Sequence, residues 1–68
     1  MKHLIRNTAT RKYFTHGDWT PNISRAQRFG NPLAAISFSL RNQLKDAELV
    51  VVFGKKPSTQ DIHLPLAA

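Results

Sequence analysis

The sequence predicts an α+β domain: a β-β-α-β chain folded as a three-stranded antiparallel sheet, order 2-1-3, with one amphipathic helix on one face. Three observations carry this. Asn31-Pro32 is a helix start, because the Asn side chain can accept from an orphan backbone N–H and Pro at the first helical position forfeits no needed donor. Glu48-Leu49-Val50-Val51-Val52-Phe53-Gly54 is a β-branched run closed by glycine, apolar on both faces. Upstream, Lys2 to Asn7 and Lys12 to Thr15 are two strand-length segments separated by Thr8-Ala9-Thr10-Arg11.

In chain order, that four-residue connection lacks the Asn-Gly or Asp-Gly of a tight primed turn and predicts a longer hairpin loop. His16-Gly17-Asp18 breaks the second strand as a turn, with Gly supplying unusual φ and Asp bonding backbone. Trp19 is too large to leave wet and is expected as a core plug at the sheet's end. Thr20-Pro21 opens a single helical turn, Thr as cap, reaching about Gln27, with Ile23, Ala26 and Phe29 inward. Gly30 then frees the chain to enter the main helix, which runs to about Lys45. At roughly 100° per residue, Leu33, Ile36, Ser37, Leu40, Leu44 and Ala47 fall on one side, the expected buried stripe. The third strand pairs beside the first through a right-handed crossover; order 1-2-3 would make the last pair parallel.

Residues 1–54 therefore form one ββαβ domain, and 55–68 a mobile or loosely docked C-terminal tail. Gly54-Lys55-Lys56-Pro57-Ser58-Thr59-Gln60 is polar and proline-broken. Asp61 to Leu66 spaces three apolar groups at period two, and Pro65 confines any strand there to an edge.

Sixty-eight residues bury only about 60% of the surface of the unfolded chain, so the core is small and a deep active-site cavity is not expected. The absence of cysteine removes disulfides, thiolate metal sites and thiol nucleophiles. No window approaches the roughly 20 apolar residues of a membrane span, and Met1 to Arg6 has no signal-peptide core, which makes a cytoplasmic protein without membrane contact the expectation. Ten Lys and Arg against four Asp and Glu give +6, which favours polyanionic partners.

Ile5-Arg6-Asn7, Lys12-Tyr13-Phe14, Asp18-Trp19-Thr20, Ala26-Gln27-Arg28-Phe29 and the helix after them resemble a loose type of small uncharacterised bacterial and phage protein. Such chains are built from a hairpin, a Trp-Thr corner, an Ala-x-x-Phe step and an amphipathic helix. The resemblance spans roughly residues 1–45 and implies the ββαβ fold; it implies no activity.

The basic residues come in pairs: Arg11 with Lys12, Arg25 with Arg28, Arg41 with Lys45, and Lys55 with Lys56. Pairs on separate loops can converge on phosphates. Phe38, about 140° from Leu33 on the helical wheel, is read as an exposed aromatic among Arg41, Asn42 and Lys45 that can stack a base. The bland alternative is that Arg41 and Lys45 complement the helix C-terminus while Phe38 packs on a partner. His3, His16 and His63 lack the i, i+3 or i, i+4 spacing of paired metal ligands, so neither metal nor cofactor is expected. No serine sits in a G-x-S-x-G elbow and no glycines form a phosphate-cradling loop, so neither an enzyme nor a small-molecule substrate is expected. The sequence reading is a small basic binding module for nucleic acid through Arg11, Lys12, Arg25, Arg28, Phe38, Arg41 and Lys45. The alternative is a protein-interaction or homodimerisation module.

With Leu49, Val51 and Phe53 on one face of the last strand, Val50 and Val52 take the other, joined there by one residue each of Leu4/Ile5 and Tyr13/Phe14. An apolar second face needs a cover, either the tail through Ile62, Leu64 and Leu66 or a second copy in a two-fold dimer; the second copy, meeting at Val50 and Val52, is the expectation.

Overall fold

The computed structural model describes residues 1–54 and 61–66. Its elements are strands β1 (Lys2–Asn7), β2 (Tyr13–Thr15) and β3 (Asp18–Thr20), a single 3-10 turn (Ile23–Arg25), helix α1 (Pro32–Arg41), and strands β4 (Ala47–Val52) and β5 (Ile62–Pro65). The α+β class with one helix and an antiparallel sheet stands. The sheet has five strands in the order β3-β2-β1-β4-β5, which corrects the expected three in the order 2-1-3. β2, β1 and β4 are neighbours as the hairpin and crossover demand, but the sheet is extended by one short strand at each edge.

Both added strands have local causes. His16 and Gly17 take φ of 42° and 90°, and Thr15 pairs with Asp18 across them. Two positive-φ residues make a primed turn whose twist matches that of the strands, so the chain turns straight back rather than breaking. Trp19 thereby sits on β3 opposite Phe14 instead of plugging the sheet's end. At the other edge β5 pairs with β4 from Val51↔Ile62 to Glu48↔Pro65. The Leu66 N–H donates to the Ala47 carbonyl at 2.9 Å. Alternation of the antiparallel ladder then turns the backbone groups of Ile62 and Leu64 toward β4 and those of His63 and Pro65 outward, so Pro65 lacks a donor only where none is needed.

The β1–β4 ladder runs from Lys2↔Val52 to Asn7↔Ala47 and forms the centre. β1 meets β2 only at Arg6↔Tyr13. Where they part, the returning chain fills the gap: Gln27 donates to Phe14 O and Phe29 to His3 O, each at 2.9 Å. The expected helical turn after Trp19 shrinks to the 3-10 turn, capped by Asn22, whose side chain accepts from Ser24 N. Thr20 Oγ1 in turn accepts from Asn22 N.

α1 begins as expected, with Asn31 Oδ1 accepting from Ala34 N at 2.8 Å and Pro32 in the first turn. It ends at Arg41 rather than Lys45, and Ala47 belongs to β4. The larger correction is rotational. The buried helix residues are Ala35 and Ser39, whereas Leu33 and Leu40 are 73% and 55% exposed. Small side chains at i and i+4 let the helix backbone lie close over Ile5, Leu49 and Val51. Phe38, on one flank of that contact, enters the core: its ring centroid lies 5.2 Å from those of Phe14 and Phe29, and Phe14 meets Trp19 edge-on at 5.3 Å. The stripe expected to be buried is thus largely the solvent side of the helix.

The opposite sheet face is closed within the chain. Leu4, Val50 and Val52 form a second cluster against which Tyr13, Ile23 and Ala26 pack. Val50 and Val52 are each 1% exposed. The expectation of an open apolar face there is corrected: the segment between β3 and α1 lies over it.

Candidate nucleic-acid interface

Two of the basic pairs are brought to one end of the molecule by hydrogen bonds between loops. Asn7 ends β1, and its Oδ1 accepts from Ala9 N and Thr10 N at 2.8 and 2.9 Å, an Asx turn that curls the chain back. Asn7 N–H donates to Lys12 O at 2.7 Å and Arg11 N–H to Asn7 O at 2.8 Å, closing the loop that carries Arg11 and Lys12. The second loop descends from α1, where Asn42 N and Nδ2 both donate to Phe38 O and Leu44 N donates to Ser39 O. Arg41 and Lys45 bracket this turn. Thr8 joins the loops, since its N–H and its hydroxyl both donate to Asp46 O, at 2.7 and 3.1 Å.

The backbone at this end is held in an unfavourable region. Arg11, Gln43 and Asp46 have φ of 63°, 51° and 53°, three of the four non-glycine residues with positive φ among those described. Left-handed backbone at an L-residue costs about 1–2 kcal/mol each, and such strain persists where surrounding bonds fix it and gathers at sites that must present groups in one way. All four cations are exposed. None is in an ion pair among the described residues, where the salt bridges are Arg6–Glu48 and His63–Glu48. Asp46 is the one acidic neighbour within the loops.

The remaining expected site residues do not join this end. Arg25 and Arg28 are exposed on the segment that covers the Leu4–Val50–Val52 face, away from α1. Phe38 is partly buried rather than exposed: at 100° per residue it stands beside Ala35 and Ser39, and its ring packs against Phe14 and Phe29. Lys55 and Lys56 lie outside the described residues. Val50 and Val52 are buried in their own chain.

Sequence reasoning missed the cluster on the far side of β1, β4 and β5. Glu48 is 7% exposed. It accepts from Arg6 Nε at 2.6 Å and from His63 Nδ1 at 3.0 Å, both through Oε2. A glutamate inside a β-branched run was the available signal, since a buried carboxylate needs partners. The three residues sit on three adjacent strands and act as a clasp holding β5 to the sheet. Among the described residues no group of three or more His, Cys, Asp or Glu could hold a metal ion, and no helix is long and apolar enough to cross a membrane. Compared with family models, curated proteins and solved structures, the chain matches none.

Proposed function

We propose that the protein is a small basic binding module that engages the phosphate backbone of nucleic acid through Arg11, Lys12, Arg41 and Lys45. The observation that carries this is the Thr8–Asp46 junction, which brings onto adjoining loops two cation pairs that have no ion-pair partner among the described residues. Phosphate contacts require convergent positive charge and donors, and carry no sequence preference of their own. Without an exposed aromatic in the cluster, base stacking is not part of the reading, and shape and charge dominate. Arg25 and Arg28 belong to another surface and contribute long-range attraction only.

Binding of a mixed-sequence duplex, followed by fluorescence anisotropy between 50 and 200 mM salt, tests the proposal. With three to four phosphates neutralised, the log-log salt slope should be about −3. Arg11→Glu combined with Lys45→Glu should weaken binding at least about tenfold, and Arg25→Glu should change it by only a few-fold. Absence of binding at 50 mM salt, or equal losses from both substitutions, ends the reading. The second reading, a protein-interaction or homodimerisation module, is favoured by a different observation: the apolar outer stripe of α1.

A further inference from the structure

Besides Met1, five large apolar side chains among the described residues, Leu33, Leu40, Phe53, Ile62 and Leu64, are about half exposed or more. Four of them border one place. Ile62 and Leu64 pair with Val51 and Leu49, and cross-strand partners share a face, so both lie on the α1 side of the sheet. On α1 the buried contact is centred between Ala35 and Ser39. Phe38 lies about 80° to one side of that centre and touches Phe14 of β2. Ile36 lies about 80° to the other side, toward β4 and β5, with Leu40 and Leu33 following about 40° and 60° beyond it. A trough results, with Leu33, Ile36 and Leu40 as one wall and Ile62 and Leu64 as floor.

The dimensions of the layer identify what fits. Strands are about 4.8 Å apart, so β5 lies about 7 Å to the side of a helix seated over β1 and β4, and a second helix, packing at about 8–10 Å, would lie over the outer edge of β5. The helix layer is one helix short. The missing helix must present an uncharged apolar stripe, and Leu33, Ile36, Ser37 and Leu40 are such a stripe. We infer that the trough is filled by α1 of a second copy. In the resulting two-fold dimer the two helices lie side by side between two sheets, and each covers the other copy's β5.

Two further features agree with a second copy. The stripe and the floor contain no Lys, Arg, Asp or Glu, so two chains of charge +6 meet without opposing like charges at the contact. The apolar area involved, on the order of 500 Å² per copy, is within the range of the largest patch on a single copy and approaches, once doubled, the lower bound of specific interfaces. The basic loops at the end of the molecule stay outside the contact, so this inference stands or falls separately from nucleic-acid binding.

Sedimentation equilibrium on the full chain tests it, with Leu33→Glu, Leu40→Glu and, on the opposite face, Arg25→Glu. We expect wild type and Arg25→Glu to be dimeric at high micromolar concentration. Each leucine variant should raise the dissociation constant at least about tenfold while keeping the wild-type circular dichroism spectrum, because both leucines are already exposed in one copy. A wild type monomeric at high micromolar concentration overturns the inference. So does a dimer that survives both leucine substitutions, which would place the contact elsewhere, for example at the outward edge of β5.

Discussion

The two flanks of α1 are covered in opposite ways, although the sequence supplies apolar residues to both. On the β2–β3 flank, Phe14, Trp19, Phe29 and Phe38 close a continuous aromatic wall. On the β5 flank, Leu33, Leu40, Ile62 and Leu64 are all about half exposed or more. The difference comes from the helix's rotation. Large rings on one flank and small Ala35 and Ser39 beneath draw the helix down and toward β2, and the leucine stripe turns out. Burial on one side is therefore the cause of exposure on the other.

The largest effect should come from breaking the covered flank at its centre. Phe14 touches both Trp19 and Phe38 and is buried. Phe14→Ala should cost about 3–5 kcal/mol, enough to unfold most of so small a domain at ambient temperature. Urea melts or loss of near-ultraviolet circular dichroism would show this. A cost under 1 kcal/mol would mean that the aromatic wall is ornamental and that α1 is held by Ala35 and Ser39 alone.

A pair of substitutions within α1 reads the rotation directly. Phe38→Ala should cost about 2–3 kcal/mol and Leu40→Ala less than about 0.5 kcal/mol in dilute solution, where self-association does not contribute. The wheel drawn from hydrophobicity alone gives the reverse ranking, so chemical denaturation of the two variants decides between the orientations.

Those two residues also show where the sequence stopped being legible. Asn31-Pro32 announced the helix and the valine run announced β4, because capping chemistry and β-branching act locally. Which side of the helix is buried is not local: it depends on small residues meeting a sheet and on where the aromatic side chains of other segments collect. A stripe of leucines outweighed Ala35 and Ser39 in hydrophobicity, yet close backbone approach favoured the small pair. β3 was hidden because His16-Gly17 resembles a break as much as a primed turn, and β5 because Pro65 is harmless only at an outward edge position. For the candidate site, each basic pair was visible, but the Thr8–Asp46 contact that unites two of them spans 38 residues of sequence and leaves no signature in either loop.

The clasp on the far face should have the next largest effect, and it acts on the floor of the bare flank. Glu48→Ala leaves Arg6 and His63 without their carboxylate and loosens β5. Since both partners keep partial solvent access, the cost is about 1–2 kcal/mol rather than that of a fully buried pair. Amide hydrogen exchange should localise the change, with Ile62 and Leu64 losing protection well before β1. Uniform loss across β1, β4 and β5 would show that β5 is not a separable edge.

The smallest effect should be a gain. Ser39 lies on the sheet-facing side of α1 at 2% exposure, and its Oγ has no hydrogen-bond partner among the described residues. A buried hydroxyl without a partner bears its desolvation cost unrelieved, about 1–3 kcal/mol at full burial. Serine also forms helix less well than alanine by about 0.5 kcal/mol. Ser39→Ala removes both costs and leaves a void of one oxygen, which forfeits part of the gain through lost contacts. A net stabilisation of about 0.5–1 kcal/mol is expected in thermal or urea unfolding. Because alanine keeps the small contact that sets the rotation, the exposed stripe and any self-association through it should be unchanged. If Ser39→Ala destabilises the protein instead, the hydroxyl has a partner in solution, and the close seat of α1 on the sheet depends on that bond as well as on size.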